Sequence, residues 1–403
     1  MLTDTARSPE RRAWVALWFG GITNGNNQRS SSTTLCCLAF LWQSRASTAI
    51  QSLWKHWDVV FLPAWYRCIL MMQTSLIGPA PKGASQMAFV QLNELLGTPF
   101  AEEKHQPVSS QGLFLGLDHD MSHLSSAGSI SFWPRQRLTD KIKTLIRDCR
   151  SSAQLHSGTA SKIYGMMNFL EQGTYGRIGA QGLAPIKERQ YEKGVVLTPR
   201  ILKIFEVIEA ILRDKPKHQF FIFPPPCLRF VGASDAALEC PGQGSEGFCI
   251  VWMDHPGATR EAFIADLPPA VYDLWEPGDR KIAQLEMVVI LQALVCRPDH
   301  FRERRGVWFI DNVAVLMTLI KGRSDSPDLE VMSGIIHALL FAYKTWIFWE
   351  GVPSKSNWTD SISRLGWNDP WFKSNGFTAQ LTPFPAILWR LPIAAIIRAA
   401  EFL

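Results

Sequence analysis

Gly306-Val307-Trp308-Phe309-Ile310-Asp311-Asn312 decides how this chain is read. Four apolar residues run straight into an acid. A short apolar run bounded in this way predicts a buried central strand. The acid then stands at the strand's C-terminal end, where open α/β sheets hold their ligands. Helical pattern lies on both sides, over Ile282–Cys296 before it and over 312–321 after it. Three further acids, Asp235, Glu286 and Asp360, take their meaning from their distance to this strand.

Outward from the strand the order of elements is clear. Residues 228–235, 247–253 and 260–265 read as strands, the first two with period-2 alternation. After the helix over Ile282–Cys296 and the strand 307–310 come helices over 312–321 and 328–343. A strand over 345–350 and a short helix over 359–365 follow. The series βββ-α-β-α-α-β-α predicts an α/β (α+β) domain: a mixed five-stranded sheet with flanking helices, spanning 225–385. Three prolines at 224–226 mark its start, because they can neither continue a helix nor sit in a central strand.

Upstream, 85–215 reads as a strand over 112–118, a polar turn over 119–127 and a strand over 128–134. Helices over 135–150, Ser157–Leu170 and 198–212 follow, and a shorter one over 86–96 precedes the hairpin. The 135–150 helix is amphipathic. Leu138, Ile142, Leu145 and Ile146 share one face, and Arg135, Arg137, Lys141 and Lys143 stand on the other. That basic face has two readings, a solvated surface or a surface that tracks a nucleic-acid backbone. Residues 1–84 show no sustained period of 2 or 3.6, and 386–403 form an apolar tail.

Each acid has a structural reading beside a chemical one. Asp235 follows Val231 and Ala233 at period 2, at the end of its strand, where an acid also caps turns. Glu286 has apolar helix neighbours at Ile282, Ala283, Val289, Ile290 and Ala293. Its carboxylate is therefore placed on a buried stripe, where an isolated charge needs a partner. Arg305 is one candidate for that partner. Asp360 opens a short helix, a place that favours acids for their charge alone. Taken together, several carboxylates converging on one strand end repel one another unless cations neutralise them. Oxygen-only donors suit Mg²⁺ or Mn²⁺.

The composition sets looser bounds. At 403 residues with nearly half the residues hydrophobic, the chain is long enough for two or three globular domains. A net charge of +5 permits a polyanionic partner without requiring one. The eight cysteines show no metal-type spacing, which favours a reducing, intracellular setting, cytoplasm or nucleus. No uncharged apolar run reaches the length of a membrane span. Sixteen tryptophans imply a large aromatic core or stacking surfaces.

At the acids the chain resembles a known family. Ser234-Asp235-Ala236, Gln284-Leu285-Glu286, Ile310-Asp311-Asn312-Val313-Ala314 and Val352-Pro353-Ser354-Lys355-Ser356-Asn357-Trp358-Thr359-Asp360-Ser361-Ile362-Ser363-Arg364 are similar to the ribonuclease H domain of retrotransposon polyproteins. Leu95-Leu96-Gly97-Thr98-Pro99-Phe100 and Phe114-Leu115-Gly116-Leu117-Asp118 resemble the end of a reverse-transcriptase palm, and 135–215 the thumb or connection after it. The resemblance implies that Asp235, Glu286, Asp311 and Asp360 hold two Mg²⁺ (or Mn²⁺) ions and hydrolyse the RNA strand of an RNA–DNA hybrid. It also implies that Asn312 and the basic face of Arg135, Arg137, Lys141 and Lys143 contact nucleic acid, beside other parts of the polyprotein.

The chain departs from the family in two places. A polymerase carries a Tyr/Phe-x-Asp-Asp turn, yet there is no Asp-Asp pair anywhere; Trp57-Asp58-Val59-Val60-Phe61 stands where it belongs. No polymerase activity is expected, and 1–84 reads as a degenerate palm remnant. The segment 351–359 before the last acid also lacks the histidine of many cellular ribonucleases H. The alternative expectation is therefore a non-catalytic remnant that only binds nucleic acid.

Overall fold

A computed structural model describes most of residues 109–400 and a few positions between 87 and 95. The short stretches 115–116, 182, 214–216, 222–224, 226–227, 241–242, 253–257, 267–268, 277–280 and 382–392 fall outside the described residues. So do the expected palm remnant, the motif around Asp58 and most of the 86–96 helix. The chain divides into the units Met1–Val108 and Ser109–Leu403, and the second carries everything below.

The second unit opens with a four-stranded antiparallel sheet, β1 (Gln111–Phe114), β2 (Leu117–Asp120), β3 (Ser129–Pro134) and β4 (His218–Phe221), in the order β1-β2-β3-β4. The expected single strand over 112–118 is thus two. Phe114 pairs with Leu117, so the chain reverses between them. The polar connection 119–127 is shorter than expected, since β2 runs on to Asp120 and Leu124–Ala127 form a helical turn. Helices α1 (Gln136–Ser152), α2 (Ser157–Leu170) and α3 (Pro199–Arg213) follow, close to their sequence limits. On α1, Ile142 and Ile146 are fully buried while Arg135, Arg137 and Lys141 are exposed.

The second sheet has the order β10-β7-β6-β5-β8-β9. Strands β5 (Arg229–Cys240), β6 (Gln243–Trp252) and β7 (Thr259–Asp266) are an antiparallel meander. Strands β8 (Arg305–Ile310) and β9 (Trp346–Gly351) join it in parallel on the β5 side. This is the mixed sheet with flanking helices that the element order implies. A sixth strand, β10 (Thr378–Leu381), extends it along β7. Its helices include α4 (Ile282–Cys296), α5 (Val313–Lys321), α6 (Pro327–Tyr343), α7 (Asp360–Leu365) and α8 (Ile393–Ala400).

Size complementarity fixes the centre of the sheet. Phe230 lies opposite Gly306, and Gly232 opposite Trp308, on adjacent parallel strands. A Cβ on Gly232 would stand 2.3 Å from the Trp308 ring, and one on Gly306 would stand 2.4 Å from the Phe230 ring. Each large ring fills the space its bare partner leaves, which suits an interior packed to crystal-like density. Trp308 also donates its ring N–H to Ser234 Oγ at 2.9 Å, so its one polar atom is satisfied.

Helix α4 packs on β5 and β6 and against α6. It is buried from Leu285 to Leu294, so the expected one-sided stripe is in fact a helix buried nearly all round. One core runs from Ile142 on α1 through these helices to Ile397 on α8. The apolar tail thereby gains a place: α8 packs on α6 and α3. Arg305, a candidate partner for Glu286 on sequence grounds, does something else. Its guanidinium donates to Tyr175 Oη at 2.8 Å, to Gln219 O at 3.1 Å, and to the carbonyls of Glu303, Arg304 and Lys344 at 2.9 Å. It ties the upstream block to the start of β8, at the opposite end of the strand from Asp311. No helix among the described residues is long and apolar enough to cross a membrane.

Candidate metal centre

Asp235 and Asp311 arrive together by register. Ala233 pairs with Phe309 on parallel strands, so two residues on, the two acids stand side by side. Asp235 lies within β5, which runs on to Cys240 opposite β6, and not at the end of its strand as the pattern implied. Asp311, by contrast, directly follows the last residue of β8. Glu286, one turn into α4, comes over both from the helix layer. One ligand oxygen from each of Asp235, Glu286 and Asp311 lies within 4.8 Å of the other two. The structure therefore brings three of the four predicted acids into one cluster.

Asp360 is the fourth, and it stands apart from that set. It opens α7, is half-buried, and pairs through Oδ1 with Arg364, at 3.1 Å to Nη2 and 3.2 Å to Nε. Helix α7 still lies against the cluster, because Gly247 lets it. Gly247 is the register partner of Asp235. A Cβ there would sit 2.6 Å from Ile362 Cγ2 and 3.1 Å from Ser363 N. Ser363, on the next turn from Asp360, donates its hydroxyl to Asp235 Oδ2 at 2.5 Å. The segment before α7 is fixed in turn: Asn357 donates to Ser234 O at 3.0 Å and accepts from Thr359 N and Oγ1.

Asn312 works inside the chain. Its Oδ1 accepts from Ala314 N at 3.0 Å and Val315 N at 3.4 Å, capping α5. Its Nδ2 donates to Glu286 Oε1 at 3.1 Å. Asn312 is thereby the N-cap of α5, and its bond to Glu286 is an interaction that the sequence did not reveal. The basic residues Arg135, Arg137, Lys141 and Lys143 belong to α1 and its start, and to none of the elements that build this cluster.

The electrostatics follow from burial. Asp235 is 5% and Glu286 6% exposed. Burial, then the charges of Asp311 and Asp360 against the Ser363 hydrogen bond, raises the Asp235 carboxyl to about 6. Burial, with Asp311 and Asp235 adding to it and Asn312 opposing it, raises Glu286 to about 8. Among the described residues, Glu286 Oε2 and Asp311 Oδ1 are buried without a hydrogen-bond partner. Unsatisfied buried carboxylate oxygens are costly, and no cationic side chain among the described residues is paired with them. An all-oxygen set of this kind fits a hard divalent cation.

No family model and no curated protein matches the sequence. Among solved structures, the chain is similar to a ribonuclease H1 from the halophilic archaeon Halobacterium salinarum (17% identity, TM-score 0.24, 32% of this chain and 89% of that one). It is also similar to the N-terminal ribonuclease H domain of a Mycobacterium tuberculosis protein (14% identity, TM-score 0.26, 37% and 99%). A third is a foamy viral protease–reverse transcriptase in complex with an RNA/DNA hybrid (11% identity, TM-score 0.29), of which this chain spans 37% while 71% of its own length is covered.

Proposed function

We propose that the chain is a retroelement-derived ribonuclease H-like hydrolase that cuts the RNA strand of RNA–DNA hybrids and has no polymerase activity. The observation that carries this reading is the set Asp235, Glu286 and Asp311, with two buried carboxylate oxygens left unpartnered among the described residues. Asp235, Glu286 and Asp311, with Asp360 beside them, would hold two Mg²⁺ or Mn²⁺ ions. Bound there, such ions lower the pKa of an attacking water and offset charge on the leaving 3′ oxygen. The protein's own contribution is to keep the carboxylates convergent and shielded from bulk water. Specificity for the RNA strand rests on 2′-hydroxyl and groove-shape contacts rather than on base edges. Arg135, Arg137, Lys141 and Lys143 on α1 supply backbone contacts, in a setting where other parts of the polyprotein are partners.

A second reading, a remnant that binds nucleic acid without cutting it, is favoured by the position of Asp360 outside the cluster of three, with one of its oxygens paired to Arg364. Cleavage of an end-labelled RNA–DNA hybrid by the full chain, with Mg²⁺ or Mn²⁺ and beside Asp311→Asn, separates the two. Cleavage by the parent and none by the variant supports the hydrolase. A folded parent that binds the hybrid and leaves it intact with either metal supports the remnant.

A further inference from the structure

We propose that Ser363 and Asn312 are positioning residues for the metal centre: each holds one oxygen of a buried carboxylate with an uncharged donor and so sets the other oxygen toward a shared divalent cation. The inference rests on the metal-dependent reading above and goes further, to residues outside the acid set.

A carboxylate turns about its terminal bond in a broad, two-fold well. Burial alone therefore does not say which oxygen faces a neighbour. Mg²⁺ and Mn²⁺ sites need ligand oxygens at fixed positions, so something must settle the rotation. For Asp235 it is Ser363, only 2% exposed, whose Oγ lies 2.5 Å from Oδ2 and 3.0 Å from Asp360 O; its single proton goes to the shorter contact, with the charged acceptor. Its position depends on Gly247, the bare register partner of Asp235 over which α7 settles. For Glu286 it is Asn312. The Oδ1 of Asn312 is engaged by the first turn of α5, which turns Nδ2 to Glu286 Oε1. Glu286 Oε2 is the oxygen left without a partner among the described residues.

The chemistry of the two donors matters. A hydroxyl and an amide orient a carboxylate and leave its charge in place for a cation. Arg364 shows the contrast, because its guanidinium neutralises the Asp360 oxygen that it holds. Ser363 and Arg364 are adjacent on the same short helix, so one turn carries both kinds of contact.

The test is Mn²⁺ binding by the full chain, read by titration calorimetry without nucleic acid. The variants are Ser363→Ala, Ser363→Thr and Asn312→Ser. Serine is a good N-cap, so Asn312→Ser keeps the start of α5 and removes the donor to Glu286. We expect Ser363→Ala and Asn312→Ser to weaken Mn²⁺ binding about tenfold or more, the usual effect of losing an outer hydrogen bond to a ligand, with little change in melting temperature. Ser363→Thr, which keeps the hydroxyl, restores it. Parental affinity in folded Ser363→Ala and Asn312→Ser overturns the inference and leaves the metal centre standing. Should Ser363→Ala fail to fold, Asn312→Ser decides alone. A folded parent that binds no Mn²⁺ overturns both the inference and the reading beneath it.

Discussion

Replacing Glu286 by Gln should make the metal-free protein more stable at pH 8 and abolish its response to divalent cations. Burial is the main cause that lifts this carboxyl from 4.5 to about 8. Between those two values the folded chain keeps a proton that the unfolded chain has lost. Stability from this group is therefore complete below about pH 4.5 and drains away as pH rises through 8. At about 1.4 kcal/mol per unit the span is worth about 5 kcal/mol, a ceiling that structural relaxation lowers. Gln has no charge to desolvate and still offers an oxygen to Asn312 Nδ2. For a unit of this size, roughly 2 °C per kcal/mol makes the gain at pH 8 up to about 10 °C in melting temperature. The assay is thermal melting from pH 5 to 8.5, once with a chelator and once with Mg²⁺. With the chelator the parent should lose stability relative to Glu286→Gln as pH rises. Asp235, raised from 3.8 to about 6, contributes the same sign at lower pH in both proteins. His337, held neutral by burial with its pKa lowered to about 3, contributes the opposite sign between 3 and 6.5, again in both. The difference between the two curves thus isolates Glu286. Mg²⁺ should stabilise the parent by mass action and leave the variant unmoved. A Gln variant that melts below the parent at pH 8 in chelator would refute the reasoning.

Two further outcomes are expected. Gly247→Ala puts a Cβ 2.6 Å from Ile362 Cγ2 and must lift α7; a loss of about 1–3 kcal/mol in stability is expected, with a larger proportional loss of hybrid cleavage because α7 carries Asp360 and Ser363. Parental melting and cleavage together would contradict it. Changing Arg135, Arg137, Lys141 and Lys143 to Gln should weaken hybrid binding and flatten its dependence on salt, by up to about one unit of log–log slope for each phosphate no longer neutralised. An unchanged slope would mean that this face of α1 is solvated only.

Much of the second sheet was legible because its strands and helices announce themselves locally. The apolar run into Asp311 became β8, and Ile282–Cys296 became α4 with the same limits. What failed to show were elements defined by a distant partner. Strand β4 has four half-buried residues and pairs with β3, some ninety positions earlier. Strand β10 lies on β7, over a hundred positions away. Neither carries enough periodic pattern of its own to be read. Arg305, one candidate partner for Glu286, makes the same point: sequence gives its charge, and only packing shows that backbone carbonyls and Tyr175 absorb it.

The sequence by itself placed most strands and helices of the second sheet and singled out four acids whose oxygen donors it reads as suited to a hard cation, because apolar period and residue type are local properties. The tertiary structure decided which oxygens meet. Parallel register set Asp235 beside Asp311, a glycine without a side chain let α7 bring Ser363 to Asp235, and the cap of α5 turned Asn312 to Glu286. It also held Asp360 to Arg364, outside the cluster of three. Orientation of a buried carboxylate depends on neighbours from elements far apart in the chain, and a linear pattern carries no record of which of them will touch.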